Sequence, residues 1–255
     1  MKKNVYLLLI AFVMYGCTAA QQPFQVRYLG NMGIAIVYND SCVIIDGLHD
    51  FYEKDYLPAD PQAVDAMLKK QPPFAKIAAI AVTHRHSDHF DSSLVTQVAR
   101  AHPKATLLLG SQARALLGSD MQKRAAALPD STTIYVAPGL TIRVRRIPHT
   151  YAVRHAAVEN YRFEVVWGGF RLVHLGDADT KANATHGLAA GPQVMIIPNW
   201  FLDKRGVELL QPVKPAQVII THLAPGDDGM YKNDKLQAPQ TVFKQYGDQI
   251  KINTP

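Results

Sequence analysis

The sequence predicts a layered α/β fold: two βα halves packed sheet to sheet, helices outside, and one chemical site along the shared edge. Three observations carry this. Short apolar runs alternate with amphipathic stretches, a βαβα order. Two runs end alike, Ala79-Ile80-Ala81-Val82 in Thr83-His84 and Val218-Ile219-Ile220 in Thr221-His222. A third apolar stretch, Leu172 to Leu175, ends in Gly176-Asp177, again a potential ligand. In layered α/β architectures, sites gather at such strand ends.

In chain order, Phe24 to Leu29 reads as a strand with a turn at Gly30-Asn31. Gly33 to Tyr38 is a second strand, and Cys42 to Ile45, after the Asn39-Asp40 turn, is a third. Asp46-Gly47 closes this antiparallel meander. Asp46 is either a turn residue or a group that orients a ligand from outside, and the residues leave both readings open. His49 to Pro61 reads as an irregular aromatic loop, whose Phe51, Tyr52 and Tyr56 either line a site or cover the core edge. Pro61 to Lys70 has the apolar spacing of a helix. The strand Ile77 to Val82 follows, then the helix Ser92 to Ala101 behind an Asp91 N-cap. Thr106 to Leu109 reads as a strand and Gln112 to Leu117 as a short helix.

The second half repeats the layout. Thr133 to Val136 and Thr141 to Ile147 flank a Pro138-Gly139 turn. Tyr161 to Trp167 and Phe170 to Leu175 flank the two-residue Gly168-Gly169 turn of a hairpin. Val194 to Ile197 and Val218 to Thr221 are buried strands, and the polar tail is expected to close with a helix near Ala238 to Tyr246.

The 255 residues are 48% hydrophobic and 19% charged, an ordinary balance for one large domain with a full core. Of the formal charge of +6, Lys2 and Lys3 supply two charges and the rest is scattered. No basic block with interleaved aromatics points to nucleic acid. Residues 1–20 read as an export segment, with Lys2 and Lys3 ahead of a short apolar stretch and small residues behind it. Val13-Met14-Tyr15-Gly16-Cys17 resembles a bacterial lipoprotein signal, which would leave Cys17 lipidated. Cleavage after Ala20 is the alternative. Either places the protein outside the cytoplasm, periplasmic or anchored in the cell envelope, with a membrane partner only through the lipid on Cys17. Cys42, the other cysteine, is expected to be a small buried hydrophobe.

The densest chemistry is Thr83-His84-Arg85-His86-Ser87-Asp88-His89. Neutral imidazoles with an ionised carboxylate suit zinc or a similar first-row metal. A strand ending there would hold the first histidine rigidly, and a loop could fold the others back on the same ion.

The pattern His84-x-His86-x-Asp88-His89 resembles the signature of the metallo-β-lactamase-fold superfamily. Its later ligands, a histidine, an aspartate and a histidine at strand ends, match His149 in Ile147-Pro148-His149, Asp177 in Leu175-Gly176-Asp177, and His222. Tyr28-Leu29-Gly30 and Ile44-Ile45-Asp46 fit its N-terminal half, and the nearest branch holds lactonases and phosphodiesterases. The resemblance implies a four-layer αββα sandwich in a single domain over 21–255. It implies two divalent metals: His84, His86 and His149 on one, Asp88, His89 and His222 on the other, Asp177 bridging. Zinc is the default, while manganese and iron accept similar ligands. A hydroxide shared by the metals would attack an ester, lactone, amide or phosphodiester bond of a small-molecule substrate, oriented by Asp88.

Three further residues are substrate-contact candidates. Asn199, at a strand end in Pro198-Asn199-Trp200, could donate to an oxyanion. Tyr151 and His155 follow His149 closely, with an exposed loop as the competing reading. His174, inside a strand, reads as structural. Two other functions share the ligand set: an iron-dependent, sulfur dioxygenase-like oxidoreductase, and a non-catalytic metal-binding surface lipoprotein.

Overall fold

The computed structural model describes residues 22–253 apart from 51, 53, 54, 228 and 230. The export segment with Cys17, and Phe51 of the aromatic loop, lie outside the described residues.

The strands β1 (Phe24–Gly30), β2 (Gly33–Tyr38) and β3 (Ser41–Ile45) form the expected antiparallel meander. After helix α1 (Pro61–Leu68), β4 (Lys76–Ala81) lies parallel to β3. Helix α2 (Ser92–Ala101) returns the chain to β5 (Thr106–Leu108), parallel to β4, and the short helices α3 (Ser111–Ala115) and α4 (Ser119–Arg124) complete the half. The second half runs β6 (Ser131–Ala137), β7 (Leu140–Ile147), α5 (Ala152–His155), β8 (Asn160–Trp167), β9 (Phe170–His174) and β10 (Val194–Pro198). A 3-10 turn (Asn199–Leu202), α6 (Lys204–Leu210), β11 (Val218–Thr221), β12 (Gln240–Val242) and β13 (Gln249–Ile252) follow. One sheet has the order β13-β1-β2-β3-β4-β5, the other β12-β11-β10-β9-β8-β7-β6.

Period-2 alternation sends alternate side chains to opposite faces of each sheet. In β8, Tyr161, Phe163, Val165 and Trp167 enter the core between the sheets. In β2, Ile34 and Ile36 join that core, while Ala35 and Val37 pack under α1 and α2 with Met67, Val95 and Val98. In β10, Ile196 faces the other sheet, and Met195 and Ile197 face Phe201 and Leu210 of the outer layer. Phe24 stacks between Tyr38 and Phe170 with centroids 4.0 and 4.5 Å away. Each such fully buried large side chain contributes about 1.5–3 kcal/mol. Cys42 is fully buried in the layer beneath the helices, as expected of a small hydrophobe, and burial pushes its thiol up to about 12.

Helix starts follow the local chemistry. Asp60 accepts from the backbone N–H groups of Gln62 and Ala63 ahead of Pro61, and Asp91 accepts from that of Leu94 at 2.6 Å. The short helix expected at Gln112 to Leu117 is α3, and a further short helix that was not expected, α4, follows it with Gly118 at its N-cap. The closing helix near Ala238 to Tyr246 is not formed. β12 adds beside β11 in parallel, and β13 pairs with β1. Gln249-Ile250-Lys251-Ile252 alternates with a strand's period, exposed and half-buried in turn.

Parallel pairing of β3 with β4, and of β9, β10 and β11, brings their C-terminal ends to one edge of the molecule. β1 runs in the same direction as β3, each being antiparallel to β2. Phe24, at the start of β1 and paired with Ile252, therefore lies at the far end of the sheet from that edge.

Candidate metal centre

The site is assembled from strand ends inward. Asp46 leaves β3 with a left-handed backbone (φ 50°). Its carboxylate accepts from the Thr83 N–H at 2.7 Å, the Thr83 hydroxyl at 2.6 Å and His89 Nδ1 at 2.8 Å. The Thr83 hydroxyl, having donated to Asp46, accepts from His84 Nδ1 at 3.0 Å. The Thr150 carbonyl accepts from His149 Nδ1 at 2.7 Å. These outer bonds occupy Nδ1 of His84, His89 and His149 and turn Nε2 of each to the interior. Of the two readings of Asp46, the orienting one holds.

The helical turn after His86, closed by the His89 and Phe90 N–H groups on the His86 carbonyl, swings His89 back under the same cavity. Gly176 aims Asp177: its φ is +53°, and a Cβ there would stand 2.7 Å from Asn160 Oδ1 and 2.8 Å from Thr83 Cβ. The Thr150 N–H holds the Asp177 carbonyl at 2.7 Å, which ties the ends of β7 and β9 together. His222, just past the end of β11, is itself left-handed (φ 66°).

Two overlapping groups result, His84-His86-His149-Asp177 and Asp88-His89-Asp177-His222, with the ligand atoms of each within 4.8 Å of one another. His84 Nε2 lies 3.0 Å from His86 Nδ1 and 3.3 Å from His149 Nε2. Asp177 turns Oδ2 to this group, 3.8 Å from His84 Nε2 and 3.6 Å from His149 Nε2. Its Oδ1 faces the second group, 3.1 Å from His89 Nε2 and 3.3 Å from His222 Nε2. Asp88 Oδ2 completes that group, 3.5 and 3.4 Å from the same two nitrogens.

This donor set fits metal cations. Two lone pairs, on His84 and His149, point at each other with both protons committed elsewhere. His89 Nε2, His222 Nε2 and Asp177 Oδ1 are buried without a well-formed hydrogen bond and meet one another only as ion pairs at 3.1 and 3.3 Å. Unsatisfied buried polar atoms are costly unless something binds them. The electrostatics divide the same way. Burial and the neighbouring imidazoles hold His84 and His149 below the ordinary histidine range and His86 down to about 4. Burial opposes protonation of His89 and His222 too, but Asp177, with Asp88, prevails and raises both. In return those histidines hold both carboxylates low, against burial.

All seven residues singled out from the sequence thus meet at one place. Asn199, Tyr151 and His155 line the same cleft, a space of about 720 Å³. His155 packs its ring 4.9 Å from that of His86 and 4.8 Å from that of His149. His174 is buried and bonded to the Met32 carbonyl at 2.9 Å, the structural role expected. The sequence reading missed Asn31, buried in the β1–β2 turn, whose Nδ2 donates to the Asp88 carbonyl at 3.0 Å and to Oδ2 at 3.1 Å. Its signal was an asparagine in a tight turn, where it takes φ 41°. Arg154 and Trp200 were also missed as cleft residues, and Tyr52 and Tyr56 take the site-lining reading of the aromatic loop.

Comparison with known proteins agrees with this architecture. Protein Rv0786c of Mycobacterium tuberculosis (strain ATCC 25618 / H37Rv) is 27% identical over 176 residues, covering 66% of this chain and 78% of its own. Igni18, a metallo hydrolase from the hyperthermophilic archaeon Ignicoccus hospitalis KIN4/I, shares the fold with a TM-score of 0.60 at 14% identity, covering 91% of this chain and 100% of that one. YhfI of Bacillus subtilis, a metallo-beta-lactamase fold protein, does so with a TM-score of 0.54 at 14% identity, covering 90% and 99%. A domain family described as "Beta-lactamase superfamily domain" matches residues 25–222, from β1 through the last of the seven clustered residues. The chain belongs to that superfamily and has the metallo-β-lactamase fold, in which clusters of histidine and aspartate bind divalent metals.

Proposed function

We propose that the protein is a hydrolase with a two-cation centre, acting on an ester, lactone, amide or phosphodiester bond of a small molecule. The observation that carries the reading is the pair of four-ligand groups sharing one carboxylate, with Asp177 turning a different oxygen to each. His84, His86 and His149 would hold one cation and Asp88, His89 and His222 the other. Zinc is the first expectation for ligands of this kind. Bound there, divalent cations supply Lewis acidity and make water acidic enough to ionise near neutral pH.

The chain's own groups do the rest. Asp88, on the rim and steadied by Asn31, orients the attacking water and takes its proton. Asp46 and Thr83 keep the histidine lone pairs turned inward. Asn199, which lines the same cleft, offers an amide to the developing oxyanion. The test is metal analysis of the purified protein alongside turnover of p-nitrophenyl esters and bis(p-nitrophenyl) phosphate. Two equivalents of metal and activity lost to chelator are expected. Turnover that survives complete metal removal would refute the reading.

Export belongs to the same proposal and rests on the sequence of residues 1–20. Mass spectrometry of the mature N-terminus distinguishes a lipidated Cys17 from cleavage after Ala20.

A further inference from the structure

The cleft has two unlike walls. On the side of His86 and His149, α5 presents Arg154, one residue before the His155 ring that packs on both. Arg154 is the arginine that lines the cleft, and among the described residues no carboxylate lies within ion-pair distance of it. On the side of His222 the wall is aromatic. Tyr56 stands edge-on to the His222 ring at 4.3 Å and Trp200 at 4.8 Å, and Tyr52 stacks on Tyr56 at 6.2 Å. The Trp200 indole is locked by its N–H donating to the Ala178 carbonyl at 2.9 Å. Tyr52 nevertheless remains 42% exposed at the mouth, an aromatic surface that no part of the described chain covers. The loops of this wall also carry Asp55 and Asp227 into the cleft lining, so an anion is repelled there and drawn across to Arg154.

We infer that the substrate is an anion bearing a planar aromatic group, its charged end on Arg154 and its ring against Tyr52, Tyr56 and Trp200, with the scissile bond between them. A guanidinium pairs with carboxylate or phosphate in a forked geometry, and aromatic rings add specific contacts beyond area burial. This rests on the hydrolase reading. It adds Arg154 as the residue that sets specificity for charge and Tyr52 as one that sets it for shape.

Three chromogenic substrates separate the ideas: p-nitrophenyl acetate, which is neutral; mono-p-nitrophenyl succinate, which adds a carboxylate; and methyl p-nitrophenyl phosphate. The metal-loaded wild type is expected to favour at least one anionic substrate over the acetate ester. R154A should lower kcat/KM for that substrate about tenfold more than for the acetate ester, mainly through KM, and R154K should recover only part. Preference for succinate or for phosphate tells which anion the site was built for. Equal effects of R154A on neutral and charged substrates would overturn the inference and leave the hydrolase reading standing.

If none of the three turns over, the ester and phosphodiester readings fail, and titration calorimetry with phenylphosphonate and methylphosphonate decides the inference by itself. R154A should weaken both ligands about tenfold, and Y52A should weaken the phenyl ligand alone. Unchanged affinities in both variants would overturn it.

Discussion

Asp88 and Asn31 show how closely single side chains govern this centre. Asp88 lines the cleft with its backbone held by Asn31, so in the proposed centre removing its carboxylate would take away a ligand and a proton acceptor without opening the core. D88A is expected to fold with native circular dichroism and to fall to the chelated background in turnover. His84 is fully enclosed and shared among Thr83, His86 and His149, so H84A should bind less metal, read by atomic absorption. Full occupancy in H84A would contradict its assignment. N31A leaves every ligand in place but frees Asp88, and should lower kcat by roughly 10- to 100-fold with metal retained.

His174 gives a prediction of a different kind. Burial holds its imidazole below the ordinary histidine range, against the pull of Asp46. The folded protein therefore keeps it neutral while the unfolded chain takes up a proton. The stability this residue contributes is complete above the ordinary value of 6.5 and is lost as pH falls below it toward the folded value. Between pH 7 and pH 5, the urea midpoint of H174N should drop less than that of the wild type. An equal drop would remove His174 from the account.

The seven clustered residues were legible because four lie in one short motif and the others end strands. Asn31 was not, because its partner is 57 positions away and only the folded β1–β2 turn brings them together.

At the scale of elements, the strands were legible wherever burial imposed period-2 alternation, as in β8 and β10. The tail was misread because its two strands are short and edge-placed, with half-exposed patterns that a helix could share. There, register with β11 and β1 decides the conformation, and pairing partners so far away leave no trace in local spacing. Helix α6 did carry a local signal. Asp203 accepts from the Gly206 N–H at 2.6 Å, and Val207 and Leu210 follow on the buried face. D203A should therefore cost about 1 kcal/mol in chemical denaturation. Because α6 packs on the turn that carries Asn199 and Trp200, the same variant tests whether that lip depends on the helix behind it.

For the whole molecule, the two halves are held together by the core between the sheets and meet again at the edge, where the seven clustered side chains come from both halves. Metal should thus stabilise the fold as well as the chemistry. Each cation at a thousand times its dissociation constant adds about 4 kcal/mol, which for a domain of this size is a melting shift of roughly 10 °C per site. Differential scanning calorimetry with and without chelator measures it. A shift near zero would mean that the imidazole cluster is already at ease without cations. The layered architecture itself was readable from composition and strand endings. The polarity of the cleft was not, since Arg154, Tyr56 and Trp200 reach it from three separate connections.

The pairing of Phe24 with Ile252 has a practical meaning for how the protein can be held. Both strands that flank this pair meet at the pole opposite the cleft. Whatever secures the chain ahead of Phe24, a lipid in an envelope or a tag on a bead, holds it by its back and leaves the mouth facing outward. A tether at either end should therefore be tolerated without loss of turnover, whereas one attached through the α5 lip would seal the entrance.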